Sequence, residues 1–441
     1  MESRASANEV TPLLADPPID DDVYHYEQRI FPSPLQKQLL LGKFTLSFFV
    51  SRLFELSTAV WIIKVFGTSF VPATIYSVMV TVSASPLWFL AGKFLQNKSR
   101  KAAIAYGLVG ERVTAMAICT LLLVDTQNHY WLKYFVSILL IVLQRSCDSI
   151  QVHVIEHDWA QVLANNESVP YTALTKLFRQ IKGFSWVCAP VLATWIAQYL
   201  GVYYMLKVFR VLAFLTMIVE YSLVRKLYST CYALRVPNLM NEASGKITFS
   251  RPSIERICFY IRKRPRPVLI SIGATLANST LLTIRTQQLL YLDQHGIALV
   301  YVGIMAAVMP SKIPMPYIVA VGLNLLSSVI AVWALYTSQA LIFGLACVAS
   351  RLSIYPIEKK AQSYVNGLIS DPQLLMLFSL IETRMTQIWG ITILFLPALW
   401  VHVDKFIWPV SISVVSSLIG LLSMEFGFRW GPTPSAADAS D

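Results

Sequence analysis

The residues of this chain that could do chemistry are ionisable side chains inside long apolar stretches. Arg52 and Glu55 lie three residues apart in the first stretch, so they share one helix face and can form an ion pair. Glu111 and Arg112 are adjacent in the third stretch, and Glu220 lies deep in the sixth. Because burying a charge is costly, such groups usually face an internal cavity or a partner of opposite charge. We expect Glu55 and Glu220 to line a cavity, whereas neighbours such as Glu111 and Arg112 most often neutralise each other.

Catalytic motifs are absent from the chain. It contains no glycine-rich phosphate-binding loop, no histidine–glutamate zinc motif and no nucleophile turn of the Gly-x-Ser-x-Gly kind. We therefore expect neither an ATP-driven pump nor an enzyme, and no bound cofactor.

The elements that must position these charges follow from the composition. Of the 441 residues, 55% are hydrophobic and 14% are charged, and the mean hydropathy is +0.56. Soluble domains average about 25% charged residues. At about 20 residues per membrane-spanning helix, twelve spans would need about 240 residues, which matches the apolar share of the chain. The composition therefore predicts an all-α polytopic membrane protein.

The apolar stretches divide the chain into two halves of six helices each. A polar cytosolic tail, 1–37, which we expect to be disordered, precedes an N-terminal bundle, 38–224. A basic linker, 225–266, leads to a C-terminal bundle, 267–427, and a second tail, 428–441. The apolar runs lie at about 39–64, 70–91, 102–124, 132–154, 172–199, 203–224, 267–291, 297–309, 316–335, 338–357, 373–398 and 405–426. The eighth run is short for a full span. Two six-helix bundles joined by a basic linker are typical of a major-facilitator-type transporter.

The basic residues concentrate in connections that would lie on one side of the membrane. Lys and Arg crowd the connection after the second run, the linker, and the segment after the tenth run, where we place Arg351, Lys359 and Lys360. The opposite connection at 293–295 carries neither. The positive-inside rule therefore places both termini and the linker in the cytosol. It also accounts for the net charge of +11 without a nucleic-acid partner, and the lipid bilayer is the expected partner.

Five segments of the first half carry a family resemblance. They are SRLFE at 51–55, VFGTS at 65–69, VIEHDW at 154–159, FRQI at 178–181 and IVEY at 218–221. Together they resemble the ferroportin family of ferrous-iron exporters. The resemblance covers about 45–230 well and continues weakly into the seventh helix.

The resemblance implies a metal site in each half of the chain. At the ligand positions of the first helix this chain has Ser51 and Glu55, and Glu220 matches a family carboxylate near that site. At the ligand positions of the second half it has Thr286 and Ile393. Glu55 is the implied metal ligand because its carboxylate is a hard oxygen donor. The candidate substrate-binding residues are Glu55, Glu220, Glu111, Ser51 and Thr286, with Arg52, Arg112 and Arg285 as charge partners in the cavity.

Three functions remain open from the sequence. The first is a ferroportin-like transporter that moves ferrous iron or another small divalent metal cation by alternating access. The second is an organic-anion carrier on the same fold, in which arginines such as Arg52, Arg112 and Arg285 act as counter-ions. The third is a transport-inactive membrane scaffold or sensor that has kept the fold and lost the ligands.

The N-terminal tail contains a short sorting pattern. Glu9 precedes Leu13 and Leu14 in the arrangement of an acidic dileucine signal, which predicts binding to a sorting adaptor. We expect an integral, multi-pass protein of the plasma membrane or of the vacuolar or lysosomal membrane.

Overall fold

The computed structural model describes residues 34–83, 99–124, 129–166, 171–231, 234–235, 265–278, 280–282, 286–308, 315–369, 372–400 and 405–429. The elements in this part of the chain are helices, and they follow the predicted apolar runs in the same order. The predicted tails, the linker and the sorting pattern at Glu9, Leu13 and Leu14 lie wholly or largely outside the described residues.

In the described residues of the N-terminal half, six helices correspond to the six predicted apolar runs. They are α1 (Pro34–Val65), α2 (Phe70–Ser83), α3 (Arg100–Leu123), α4 (Tyr130–His153), α5 (Tyr171–Leu200) and α6 (Val202–Thr230). After α4 the chain continues through a π-helical turn, Val154–Trp159, into a short helix, Ala160–Asn166. Ser99 caps the start of α3, where its side chain accepts a hydrogen bond from the backbone N–H of Ala102.

The C-terminal half repeats this pattern with one interruption. Its helices are α7 (Pro265–Asn278), α8 (Thr286–Gln294), α9 (Leu299–Ala307), α10 (Tyr317–Tyr336), α11 (Ala340–Leu368), α12 (Pro372–Leu399) and α13 (Ile407–Arg429). The seventh apolar run is therefore broken between α7 and α8. The eighth run forms α9, whose nine residues rise only about 14 Å, half of a hydrocarbon core.

The helices have the length and surface of membrane spans. In the part of the chain that the structure describes, seven helices are long and apolar enough to cross a membrane. Large apolar side chains point outward along them, including Leu139, Ile318 and Leu422, which are 70%, 81% and 62% exposed. Lipid is the environment in which such a surface is stable. The predicted class, an all-α polytopic membrane protein, is confirmed.

Each half packs internally, and the two halves also contact each other. In the first half α1 packs on α5 and α6; in the second, α7 packs on α13. Between the halves, α9 lies on α5 and α12 lies on α2. A shared hydrophobic cluster includes Ile63, Phe70 and Phe406, and the ring centroids of Phe70 and Phe406 are 4.7 Å apart. This contact lies where α1 ends and α2 begins.

Several helix ends and the place of Arg351 differ from the predicted layout. The first helix begins at Pro34, inside the predicted 1–37 tail, and the sixth continues to Thr230, inside the predicted 225–266 linker. Arg351 does not lie in a connection, as the count of loop charges assumed, but inside α11. Helix α11, which forms from the tenth apolar run, continues past that run to Leu368, and Lys359 and Lys360 are exposed in its last turns.

Candidate substrate cavity

A cavity of about 440 Å³ lies between the two halves at the middle of the helices. Helices α1, α2 and α5 form its wall on one side, and α7, α8, α9 and α11 form it on the other. Its polar lining consists of Arg52, Glu55, Tyr76, Ser77, Thr81, Asn278, Thr286 and Arg351. Asn278 and Thr286 flank the break between α7 and α8, and a broken helix beside a central cavity is a common substrate-site arrangement in transporters.

Glu55 is held by two arginines. Arg52 Nη1 lies 2.5 Å from Glu55 Oε2, one helical turn away, and this confirms the pairing that their spacing predicts. Arg145, from α4, also forms an ion pair with Glu55 Oε2. Arg145 in turn lies 3.3 Å from Asp148 Oδ2. The Tyr76 hydroxyl donates a 2.6 Å hydrogen bond to the backbone oxygen of Glu55, which ties α2 to this point of α1.

Two arginines from opposite halves meet at one tryptophan. The guanidinium carbon of Arg52 lies 4.2 Å from the ring centroid of Trp186, within cation–π range. Arg351, from α11, lies 6.0 Å from the same ring and donates a 3.1 Å hydrogen bond to the backbone oxygen of Ala306. The cavity lining therefore contains two guanidinium groups and one carboxylate among the described residues.

The other predicted carboxylates form a separate buried cluster beside the cavity. Arg112 bridges Glu111, at 3.0 Å, and Glu220, at 2.6 Å, and all three side chains are fully buried. Lys43 Nζ lies 3.7 Å from Glu220 and donates a 2.6 Å hydrogen bond to Gln151, whose amide contacts Glu111. Two carboxylates and two cations neutralise one another here. Glu220, which we expected to line the cavity, instead belongs to this cluster.

The structure brings together only part of the predicted site. Glu55, Arg52 and Thr286 line the cavity, and Ser51 lies buried behind it with its Oγ 3.5 Å from Arg145 Nη1. Ile393 is buried in the hydrophobic cluster between the halves, and Arg285 lies outside the described residues.

Sequence reasoning missed three residues that shape the cavity. The three-residue spacing pairs Arg145 with Asp148 alone, and the pattern of basic residues places Arg351 in a connection. The sequence gives no signal for Trp186. The one available signal was that Arg351 falls within the predicted apolar run 338–357, where a charge usually faces a cavity or a partner.

Donors for a metal are few around this cavity. Among the described residues no group of three or more His, Cys, Asp or Glu side chains is arranged to hold a metal ion. What the cavity itself offers is one carboxylate, the hydroxyls of Ser77, Thr81 and Thr286, and the amide of Asn278. Such hard oxygen donors suit a divalent cation, but a single carboxylate fills only one or two of the several coordination positions of the ion.

The family is decided by a match over most of the chain. The model of the family described as Ferroportin1 (FPN1) matches residues 36–415. The chain belongs to the ferroportin family. A comparison with curated proteins gives no match.

Solved structures share the fold of this ferroportin-family chain. A bacterial homologue of the iron transporter ferroportin in an inward-facing state is 17% identical, with a TM-score of 0.72 over 90% of this chain and 99% of that chain. The outward-facing state with soaked iron is 18% identical, with a TM-score of 0.54 over 89% and 99%. A D-xylose–proton symporter is 13% identical, with a TM-score of 0.56 over 93% and 98%. These similarities confirm the major-facilitator-type fold.

Proposed function

We propose that this ferroportin-family chain transports ferrous iron or another divalent metal cation across a membrane by alternating access. The observation that carries the proposal is a central cavity that is bounded by both halves and contains Glu55, in a chain whose family match spans residues 36–415. A site shared by two halves can face each side in turn when the halves rock about it.

Contacts between the halves support a cavity that is closed at one end. Lys64 and Asp293 form a 2.8 Å ion pair between the end of α1 and the end of α8. Near the same end, the backbone N–H of Leu299 donates a 3.2 Å hydrogen bond to Gln198. With the predicted orientation this closed end faces outward, which is the arrangement of an inward-facing transporter.

Glu55 is the metal ligand in this proposal. It is the only carboxylate among the described residues that line the cavity, and its side chain is 23% exposed. A divalent cation can compete for it only if Arg52 or Arg145 withdraws. Glu111 and Glu220 are less suited because both are fully buried against Arg112.

The experiment is metal uptake into proteoliposomes that contain the purified protein. Glu55→Gln keeps the shape of the side chain and removes its charge, so uptake of radioactive iron or cobalt should fall to the level of empty liposomes. The matched control is Glu425→Gln, because Glu425 lies in a surface ion pair with Arg429, outside the cavity lining. Uptake that is indifferent to Glu55→Gln would show that Glu55 is not the ligand.

An organic-anion carrier is the second candidate, and the arginines are the observation that favours it. Arg52 and Arg351 both face the cavity, and Arg145 adds a third positive charge at Glu55. Uptake of a radioactive organic anion without metal, unaffected by Glu55→Gln and lost in Arg351→Gln, would favour this function over metal transport.

The membrane in which the protein works is part of the proposal. The pattern Glu9, Leu13 and Leu14 supports delivery to the vacuolar or lysosomal membrane through a sorting adaptor, with the plasma membrane as the alternative. Changing Leu13 and Leu14 to Ala should move a fluorescently tagged protein from the internal membrane to the cell surface. An unchanged distribution in imaged cells would remove the sorting role.

A further inference from the structure

Two basic side chains face outward from α6, within its apolar run. Helix α6 is the least buried of the seven described helices that are long and apolar enough to cross a membrane. Lys207 and Arg210 lie three residues apart on it, so they share one face, and both are exposed. Counted from Val202, their Cα atoms lie about 7.5 Å and about 12 Å along the helix axis. Neither is among the described residues that line the cavity, so the proposed transport gives them no role.

Helix geometry directs both side chains toward the membrane surface at which α6 begins. In a helix the Cα–Cβ bonds tilt toward the N-terminal end, and long side chains lie back over the preceding turn. Lys207 shows this directly, because its Nζ lies 5.1 Å from the ring centroid of Tyr204, one turn earlier. Tyr203 and Tyr204 are 53% and 62% exposed, and exposed tyrosines are typical of the level of the lipid headgroups. The Lys207 ammonium group therefore lies at headgroup level, and the same tilt directs Arg210 toward it.

The same face of α6 is apolar further along the helix. Phe214 and Ile218 follow Arg210 at spacings of four residues, and both are exposed. A charge that faces hydrocarbon is costly unless it reaches the headgroup region or an anion. From the start of α6, exposed tyrosines, two cations and apolar side chains therefore follow one another. A phospholipid that lies along the helix presents its phosphate and then its acyl chains in the same order.

We propose that this face of α6 binds an anionic phospholipid. Lys207 and Arg210 pair with the oxygens of its phosphate, and an acyl chain lies along Phe214 and Ile218. A guanidinium group can form two parallel hydrogen bonds to a phosphate, and the ammonium group of lysine adds a second charge-assisted contact. A zwitterionic lipid binds less well because its own positive group is repelled by the two cations. The site lies in the membrane leaflet in which α6 begins, whichever side of the membrane that is.

The experiment is photo-crosslinking of the full-length protein in nanodiscs of phosphatidylcholine with a minor fraction of phosphatidylglycerol. Photoreactive benzoylphenylalanine replaces Val211, which is 54% exposed and lies one turn after Lys207, and mass spectrometry identifies the crosslinked lipids. Phosphatidylglycerol should be over-represented about tenfold relative to its share of the bilayer, because two cations attract its phosphate. The matched control position is Val329, which is 65% exposed on α10, a helix without Lys or Arg. Lipids crosslinked there should have the composition of the bilayer.

Charge variants test whether the two cations select the lipid. With the probe at Val211, Lys207→Gln combined with Arg210→Gln should remove the enrichment of phosphatidylglycerol, whereas Lys207→Arg combined with Arg210→Lys should retain it. Both positions are exposed, so the variants should fold, and an unchanged midpoint of thermal unfolding checks this. Phosphatidylglycerol crosslinked only in proportion to its share of the bilayer, or equally enriched in the glutamine variant, would overturn the proposal. Crosslinks between two copies of the chain in place of lipid would also overturn it and would assign this face to a protein interface.

Discussion

Glu55 and Glu220 are both paired with arginine, but their surroundings give them different roles. The Glu55 side chain is 23% exposed to the cavity, whereas Glu220 is fully buried between Arg112 and Lys43. A substrate can reach the first carboxylate without breaking the packing of the bundle. The second joins α6 to α3 and α1, so we assign its cluster to the stability of the N-terminal half.

This difference predicts a stability phenotype for the buried cluster. Glu220→Gln leaves the positive charge of Arg112 and Lys43 undercompensated, and breaking a buried pair of this kind costs about 3–5 kcal/mol. The midpoint of thermal unfolding in detergent should therefore fall by many degrees. Glu425→Gln, at an exposed pair, should leave it nearly unchanged because such pairs contribute little. A stable Glu220→Gln protein that has lost metal uptake would instead place Glu220 among the substrate ligands.

Local spacing predicts the ion pairs within one helix, but it does not predict the pairs between helices that are distant in sequence. The Arg52–Glu55 and Arg145–Asp148 pairs are three residues apart, and the helix alone brings them together. The contact of Arg145 with Glu55 joins α4 to α1, and it exists only because of how these helices are arranged around α1. Tertiary packing therefore determines which carboxylate an arginine contacts, and the spacing of residues in one sequence does not show that packing.

At the scale of elements, α9 is the short helix on which the closed end depends. Gly303 lies where α9 crosses α5, and a Cβ atom there would lie 2.9 Å from the backbone oxygen of Pro190 and would collide with the side chain of Thr194. The glycine permits the two helices, one from each half, to approach closely. The sequence predicted a short eighth segment, but not that it packs on the opposite half, because apolar composition does not specify a neighbour.

Enlarging this glycine should open the closed end. In Gly303→Val the added methyl groups meet backbone as well as side chain, so α9 must move away from α5. Spin labels at the exposed positions Leu200 and Tyr301 should report a distance increase of several ångströms. Gly322→Val is the matched control, since a Cβ atom at Gly322 meets nothing within 4 Å. An unchanged distance in Gly303→Val would mean that this contact does not hold the halves together.

At the scale of the whole molecule, composition predicted the architecture better than it predicted the cavity. Long apolar runs form helices in lipid because each helix satisfies its own backbone hydrogen bonds. The order of α1 to α13 therefore follows the predicted runs, with the seventh run split at Asn278 and Thr286. The charges of the cavity depend on which helix faces are brought together. Arg351 shows the consequence, because the same arginine counts as a loop charge in the sequence and as a cavity residue in the structure.

The orientation of the whole molecule is the last prediction. Because Arg351 lies inside α11, it no longer counts among the basic residues of the predicted cytosolic connections. Lys359, Lys360 and the basic 225–266 linker still count there. The positive-inside rule then still places the linker in the cytosol. We therefore expect the closed end, at Lys64 and Asp293, to face the opposite compartment.

Cysteine accessibility measures this orientation directly. With the native cysteines replaced by serine, a single cysteine at position 129, before α4, should react with a membrane-impermeant maleimide added from the outer or luminal side. A single cysteine at position 246 should react only from the cytosolic side, and permeabilised membranes should label both. The reverse labelling pattern would show that the protein has the opposite orientation in the membrane. The Lys64–Asp293 pair would then lie at the cytosolic end.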